Sequence, residues 1–266
     1  MTLEHLCNLL EIPTEVKAEI LGYKNSQKTV ITDELLCRLT ERSHWDGAIH
    51  EIQEKIGDDP FGFYILSELL DCACITYKRY EKMGIDTSIF IQTMKFCTRF
   101  LLEHKKIHGC YSFTWAWWFP RQLALQEFRI GALEYEFIEN QTKQISIHIP
   151  SDACITPKNI HASFLEYKSF LHTHFPEWEN APWHCESWML SPALKQLLPQ
   201  TSNILYFQSL FEVESVDYES MAVLDWVYPG EKGALKELSE NTSLQRNMKQ
   251  FLLDGKRVGW AKGKVR

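Results

Sequence analysis

The chain has 266 residues, 28 Lys and Arg against 35 Asp and Glu for a formal net charge of −7, and 45% hydrophobic and 13% aromatic residues. So aromatic a chain, with 24% charged residues, is a packed globular protein and excludes disorder. The acidic surplus gives no general attraction to nucleic-acid phosphates, and the length suits one large domain or two modest ones.

At the start, Glu4 stands where a secretory leader carries Lys or Arg, and Glu11 interrupts the apolar run. Even the greasy 61–77 segment contains Glu68 and Asp71, so no stretch reaches the ~18 apolar residues of a spanning helix. The expectation is a cytoplasmic protein with no membrane or nucleic-acid partner. The eight cysteines form no C-x-x-C pair and sit mostly in apolar segments, which reads as buried free thiols.

The first hundred residues carry helical periodicity. Thr14 and Thr32 read as N-caps before Glu15-Val16-Lys17 and Asp33-Glu34-Leu35, each hydroxyl able to satisfy an unpaired amide. Asp59-Pro60 opens a helix with Ile65, Leu66, Leu69, Leu70 and Ala73 at three-and-four spacing, ending near Gly84. Thr87 opens another, through Phe90, Met94, Cys97 and Leu101 to His104, with Gly109 as its C-cap.

Beyond Gly109 the period becomes two. After an aromatic stretch with Trp115, Trp117 and Trp118, the groups Leu123/Leu125, Leu133/Tyr135/Phe137 and Ile145/Ile147/Ile149 read as a three-stranded antiparallel meander, with turns at 129–132 and 139–143. Pro150 stops the third strand, 151–157 is a loop, and a helix follows from Lys158 to about Phe175. Trp183 to Leu190, apolar on both parities, reads as a central strand, so strand, helix and strand make a crossover unit. A short helix from Ser191-Pro192, strands at Ile204 to Val213 and Met221 to Val227, and a helix with the capping box Thr242-x-x-Gln245, closed by Gly255, complete the order. Lys256, Arg257, Lys262, Lys264 and Arg266 read as a solvated tail or as cations near a cofactor's phosphates.

Helices, hairpin strands, strand, helix, strand, short helix and strands are the element order of GNAT-type acyltransferases. Particular words narrow this: His148-Ile149-Pro150-Ser151, Cys185-Glu186-Ser187-Trp188-Met189-Leu190, Leu197-Leu198-Pro199 before Ser202-Asn203-Ile204-Leu205, Phe207-Gln208-Ser209, and Thr242-Ser243-Leu244-Gln245-Arg246. Over nearly its whole length the chain resembles bacterial acyltransferase-domain proteins that join a helical N-acyltransferase N-terminal domain to a GNAT-like C-terminal domain. The resemblance implies an α+β protein, with an all-helical domain over 1–112 and, over 113–266, a mixed, mainly antiparallel GNAT-like sheet flanked by helices. It implies an N-acyltransferase moving an acyl group from acyl-CoA to a small-molecule amine of unknown identity. The alternative is an inactive GNAT-like fold binding an acylated or aromatic ligand or a protein partner.

Such a reaction needs a neutral amine, whereas a free alkylammonium holds its proton to a pKa of ~10. His148 and Glu186 are the candidate bases, acting directly or through water, and Tyr206 is the candidate acid for the leaving thiolate. Ile149, Ser151, Thr156 and Asn203 are the candidate contacts to coenzyme A. The wider superfamily has a glycine-rich phosphate loop here; residues 151–157 contain no glycine and include Asp152, which favours the inactive alternative. His104 and His108 with Cys110, and His172 and His174 with His184 and Cys185, lack a full metal-ligand spacing, so no metal is expected. The tryptophans line an aromatic or acyl site or seal the boundary between the halves. No Gly-x-Ser-x-Gly elbow is present, and neighbours His184 and Cys185 point to opposite faces of a strand.

Overall fold

The computed structural model describes residues 1–26 and 30–266. They form two compact units, Met1–Ile130 and Gly131–Arg266.

The first unit contains α1 (Leu3–Leu9), α2 (Thr14–Ser26), α3 (Asp33–Leu39), α4 (Trp45–Ile56), α5 (Phe63–Met83), α6 (Thr87–Met94), α7 (Phe96–His108), α8 (Pro120–Leu123) and the short strand β1 (Glu127–Ile130). Thr32 caps α3 as expected, its hydroxyl accepting the Leu35 amide at 3.2 Å. Thr14 does not cap: it is already the first residue of α2, behind Pro13. Asp59 Oδ2 accepts the amides of Tyr64 and Ile65 at 3.1 and 2.9 Å, satisfying donors that the first turn of α5 leaves open.

The spacing on α5 buries Leu66, Leu69, Leu70 and Ala73 completely. Glu68, in the same stripe, is also fully buried. It accepts Lys24 Nζ at 3.0 Å and the amides of Val30 and Ile31 at 3.1 and 3.3 Å, which is how a carboxylate is held inside an apolar core.

Two expectations fail in this unit. The helix expected from Thr87 to His104 is two helices, because the chain turns at Lys95 (φ −61°, ψ −6°). Leu123 and Leu125 are not in a strand: Pro120, with φ preset for a first helical turn, starts α8, and Leu125 has φ 58°. The strand begins later, at Glu127.

The second unit contains β2 (Leu133–Glu139), β3 (Lys143–His148), α9 (Pro157–His174), β4 (Trp183–Ser187), α10 (Leu194–Leu197), α11 (Asn203–Ser209), β5 (Phe211–Asp217), α12 (Val223–Val227), α13 (Ser243–Leu253) and β6 (Trp260–Val265). Its strands lie in the order β2-β3-β4-β6-β5. Only β3 and β4 run parallel, joined by α9, while β2–β3, β4–β6 and β6–β5 are antiparallel. The architecture is the α+β one, a helical first part and a mixed sheet with helices, and β4 is central in this order.

The pleat divides the sheet chemically. Tyr135, Ile145, Ile147, Trp183 and Cys185 share one face by register. Against it Tyr167 of α9 stacks on Tyr135 with ring centroids 3.8 Å apart, and Phe164 meets Trp183 edge-on at 5.2 Å. Glu134, Glu136, Ser146, His148, His184 and Glu186 alternate onto the other face. A second apolar cluster gathers Leu194, Leu197, Val223, Val227, Met248 and Phe251 from α10, α12 and α13.

Corrections here concern short apolar runs. Ile204 to Val213 is helix α11 and then β5: Ser202 accepts the Ile204 amide at 3.2 Å and starts a helix that buries Phe207 and Gln208. Met221 to Val227 is α12 rather than a strand, its Val223 and Val227 buried in the second cluster. Trp188 to Leu190 leaves β4 as a 3-10 turn, where the Ser187 hydroxyl accepts the Met189 amide at 3.1 Å. The basic C-terminal segment is not a solvated tail. Residues 260–265 form β6, inserted between β4 and β5, with Ala261 and Gly263 buried and Lys262 and Lys264 on the opposite parity, while Lys256 and Arg257 precede the strand and are exposed. Thr242 and Gln245 do form the reciprocal capping box of α13.

Candidate active site

The parallel pair fixes the geometry. Its last paired residues are Ile147 and Cys185, and the next residue of each strand, on the polar parity, is His148 on β3 and Glu186 on β4. Beyond them Pro150 lacks an amide to extend the ladder and the chain enters the loop to α9. Carboxyl ends of adjacent parallel strands, with a helix N-terminus alongside, make an opening where ligands bind in α/β sheets.

His148 Nε2 lies 2.9 Å from Glu136 Oε2. The Glu136 side chain is only 4% exposed and that of His148 27%, so the carboxylate fixes the ring while an edge of it remains accessible. Glu186 is more open: 57% exposed and 3.2 Å from Lys262 Nζ on the neighbouring β6. A pair this exposed contributes ~0–1 kcal/mol, so Glu186 is a surface carboxylate, reachable from solvent. Tyr206 is on α11, not on a strand, and 36% exposed. Asn203 is one helical turn before it, on the same face of α11.

Ile149, Ser151 and Thr156 lie in the segment from β3 to α9. Thr156 caps α9 by accepting the Asn159 amide at 3.3 Å, and Pro157 follows in the first turn. The amides of Cys154, Ile155 and Lys158 donate to no residue among the described ones. This loop therefore has hydrogen-bond donors for an anion without glycines, although its side chains narrow the approach.

Buried chemistry elsewhere is passive. Cys7, Cys72, Cys97 and Cys185 are buried, while Cys37, Cys110 and Cys154 are exposed, so the expectation of buried thiols holds for part of the set. Burial pushes the Cys72 and Cys97 thiols up to about 12 and raises Cys185 as well, which leaves no thiolate nucleophile at these positions. His104 Nδ1 is bonded to the Cys110 carbonyl at 2.7 Å, and His172 faces Glu179 at 3.3 Å. His184 Nδ1 is 3.4 Å from Glu214. Neither histidine set brings three ligand atoms together among the described residues.

The tryptophans pack on one another. Trp115 stacks on Phe100 at 4.1 Å and on Trp117 at 5.4 Å, and Arg121 lies 3.8 Å above the Trp118 ring. Sequence reasoning missed Glu136 and Lys262, the partners of two proposed site residues. Glu136 has the right parity on the second hairpin strand, but its partner depends on hairpin register; Lys262 is found only when the C-terminal segment is recognised as a strand.

Residues 127–265 match the model of a GNAT-like C-terminal domain, and residues 1–125 that of an N-acyltransferase N-terminal domain. No curated protein is significantly similar in sequence. Among solved structures, the fold is similar to that of a mutant acyltransferase in complex with octanoyl-CoA (TM-score 0.77, 20% identity, 98% of this chain and 86% of that one). It is also similar to an acyltransferase in complex with decanoyl-CoA and teicoplanin (TM-score 0.72, 19% identity, 100% of both chains). No described helix is long and apolar enough to cross a membrane.

Proposed function

The chain belongs to the family that joins an N-acyltransferase N-terminal domain to a GNAT-like C-terminal domain, and from that premise we propose that it transfers an acyl group from acyl-CoA to an amine. The observation that carries this reading is the end of the β3–β4 pairing, with His148 and Glu186 one residue beyond it on one parity. The structures with octanoyl-CoA and decanoyl-CoA support the donor, and the one that also holds teicoplanin supports a second ligand beside it.

The thioester supplies an activated acyl carbon. The amine nitrogen attacks that carbon, the N–C bond forms and the C–S bond breaks. His148 takes the ammonium proton: with Nε2–H donated to Glu136, Nδ1 is its accepting nitrogen. Glu186, largely in solvent, relays the proton through water. Tyr206 returns a proton to the departing thiolate, and Ile149, Ser151, Thr156 and Asn203 line the coenzyme on the α9 and α11 side. The open amides of Cys154, Ile155 and Lys158 support a phosphate contact despite the glycine-free loop.

The test is thiol release from acyl-CoAs of two to ten carbons with a panel of primary amines. Amine-dependent release is expected. Binding of acyl-CoA with no release for any amine would replace this reading by the non-catalytic one.

A further inference from the structure

In the second unit, α11, the 192–200 segment and the start of β5 line an open cavity of about 690 Å³. One wall is apolar, made by Leu205, Phe211 and Val213, and the cations Lys195 and Arg266 stand on the rim. Arg266 Nε donates to the Phe211 carbonyl at 3.3 Å, which orients the guanidinium. Neither cation has a carboxylate partner among the described residues. Gln208 lines the same cavity and is 95% buried at 5% exposure. Its amide nitrogen donates to the carbonyls of Ser191 (2.7 Å) and Met189 (3.4 Å), which fixes the side chain in the wall.

The cationic rim of this cavity lies away from the acyl-transfer opening, which shares α11 with it. Glu186 pairs in register with Lys262, and Arg266 lies four residues further along the chain of β6, roughly 13 Å at the rise of a strand. That direction leads to the amino-terminal end of β4, away from His148 and Glu186.

We propose that the cavity is a second ligand site, for an amphipathic anion whose carboxylate or phosphate head meets Lys195 and Arg266 and whose apolar body lies on Leu205, Phe211 and Val213. Two cationic side chains without an ion pair among the described residues, on a chain of net charge −7, suit an anion, and the fork of an arginine suits either head. The inference does not depend on the acyl-transfer reading.

Isothermal titration of the full chain with octanoate and with octyl phosphate tests it, with octylamine as the cationic control. Saturable one-site binding is expected for one or both anions, the preferred one identifying the head group. The Lys195→Gln/Arg266→Gln double variant, which changes two exposed side chains, should keep its melting temperature and bind at least tenfold more weakly; excess coenzyme A should not displace the anion. Absence of saturable binding, equal affinity in the variant, equal binding of octylamine or displacement by coenzyme A would each overturn the proposal.

Discussion

Replacing Gly259 by alanine probes the C-terminal strand through one added methyl group. Gly259 has φ +78°, and a Cβ there would lie 2.7 Å from the Asp217 carbonyl oxygen and 3.1 Å from both Tyr218 Cα and Val216 Cγ1. The left-handed backbone alone costs an alanine ~1–2 kcal/mol. The overlap falls on the backbone of β5, opposite the start of β6 in the register that pairs Asp217 with Trp260, and displacing packed strands adds ~1–3 kcal/mol. Gly255 is the internal control: its φ is +77°, but a Cβ there meets nothing within 4 Å. We therefore expect Gly259→Ala to lose roughly 3 kcal/mol and Gly255→Ala roughly half of that. In a chain of this length the larger loss lowers the melting temperature by ~6–12 °C. Urea unfolding followed by tryptophan fluorescence and by circular dichroism measures both variants. Were the segment a solvated tail, Gly259→Ala would stay within ~0.5 kcal/mol of the parent, and equal losses in the two variants would refute the steric argument.

Further expectations concern single side chains. Glu186→Gln should leave stability within ~1 kcal/mol of the parent, since its pair with Lys262 is exposed, yet slow acyl transfer at least tenfold; His148→Ala should slow it similarly while acyl-CoA still binds, and parental rates in both would remove these residues from the site. Glu68→Ala strands the amides of Val30 and Ile31 and removes one of the two carboxylates on Lys24, for a loss of ~3–5 kcal/mol in denaturant; a loss below ~1 kcal/mol would contradict the buried network. Thr242→Ala removes the hydroxyl that accepts the Gln245 amide at the start of α13, while the backbone amide of residue 242 still donates to Gln245 Oε1; it should cost ~1 kcal/mol, read as a shift in the urea midpoint.

What the sequence made legible was whatever depends on local chemistry. Thr32, Asp59, Thr242 and Gly84 mark helix ends because a hydroxyl, a carboxylate or a left-handed glycine acts within a few residues. The crossover from β3 through α9 to β4 was visible because strand and helix periods alternate over long runs. Short apolar runs were not: Ile204 to Val213 has no period long enough to separate helix from strand, and the Ser202 cap decides it. In β6 the lysines suggested a tail, and only pairing with β4 and β5 shows that Ala261 and Gly263 form its buried side. The same non-local pairing hid the Lys262 partner of Glu186, and hairpin register hid the Glu136 partner of His148. The glycine-free loop misled in another way, since open amides depend on backbone path as well as on residue type.

Acyl-CoA binding is the most direct test of the acyl-transfer reading. A ligand at ~100 times its Kd stabilises the folded state by ~2.7 kcal/mol, a rise in melting temperature of ~5–10 °C for a chain of this size. Such a rise is expected with at least one acyl-CoA, and a smaller or equal one with coenzyme A itself. An unchanged melting temperature with coenzyme A and with every acyl-CoA from two to ten carbons, at millimolar concentration, would contradict that reading.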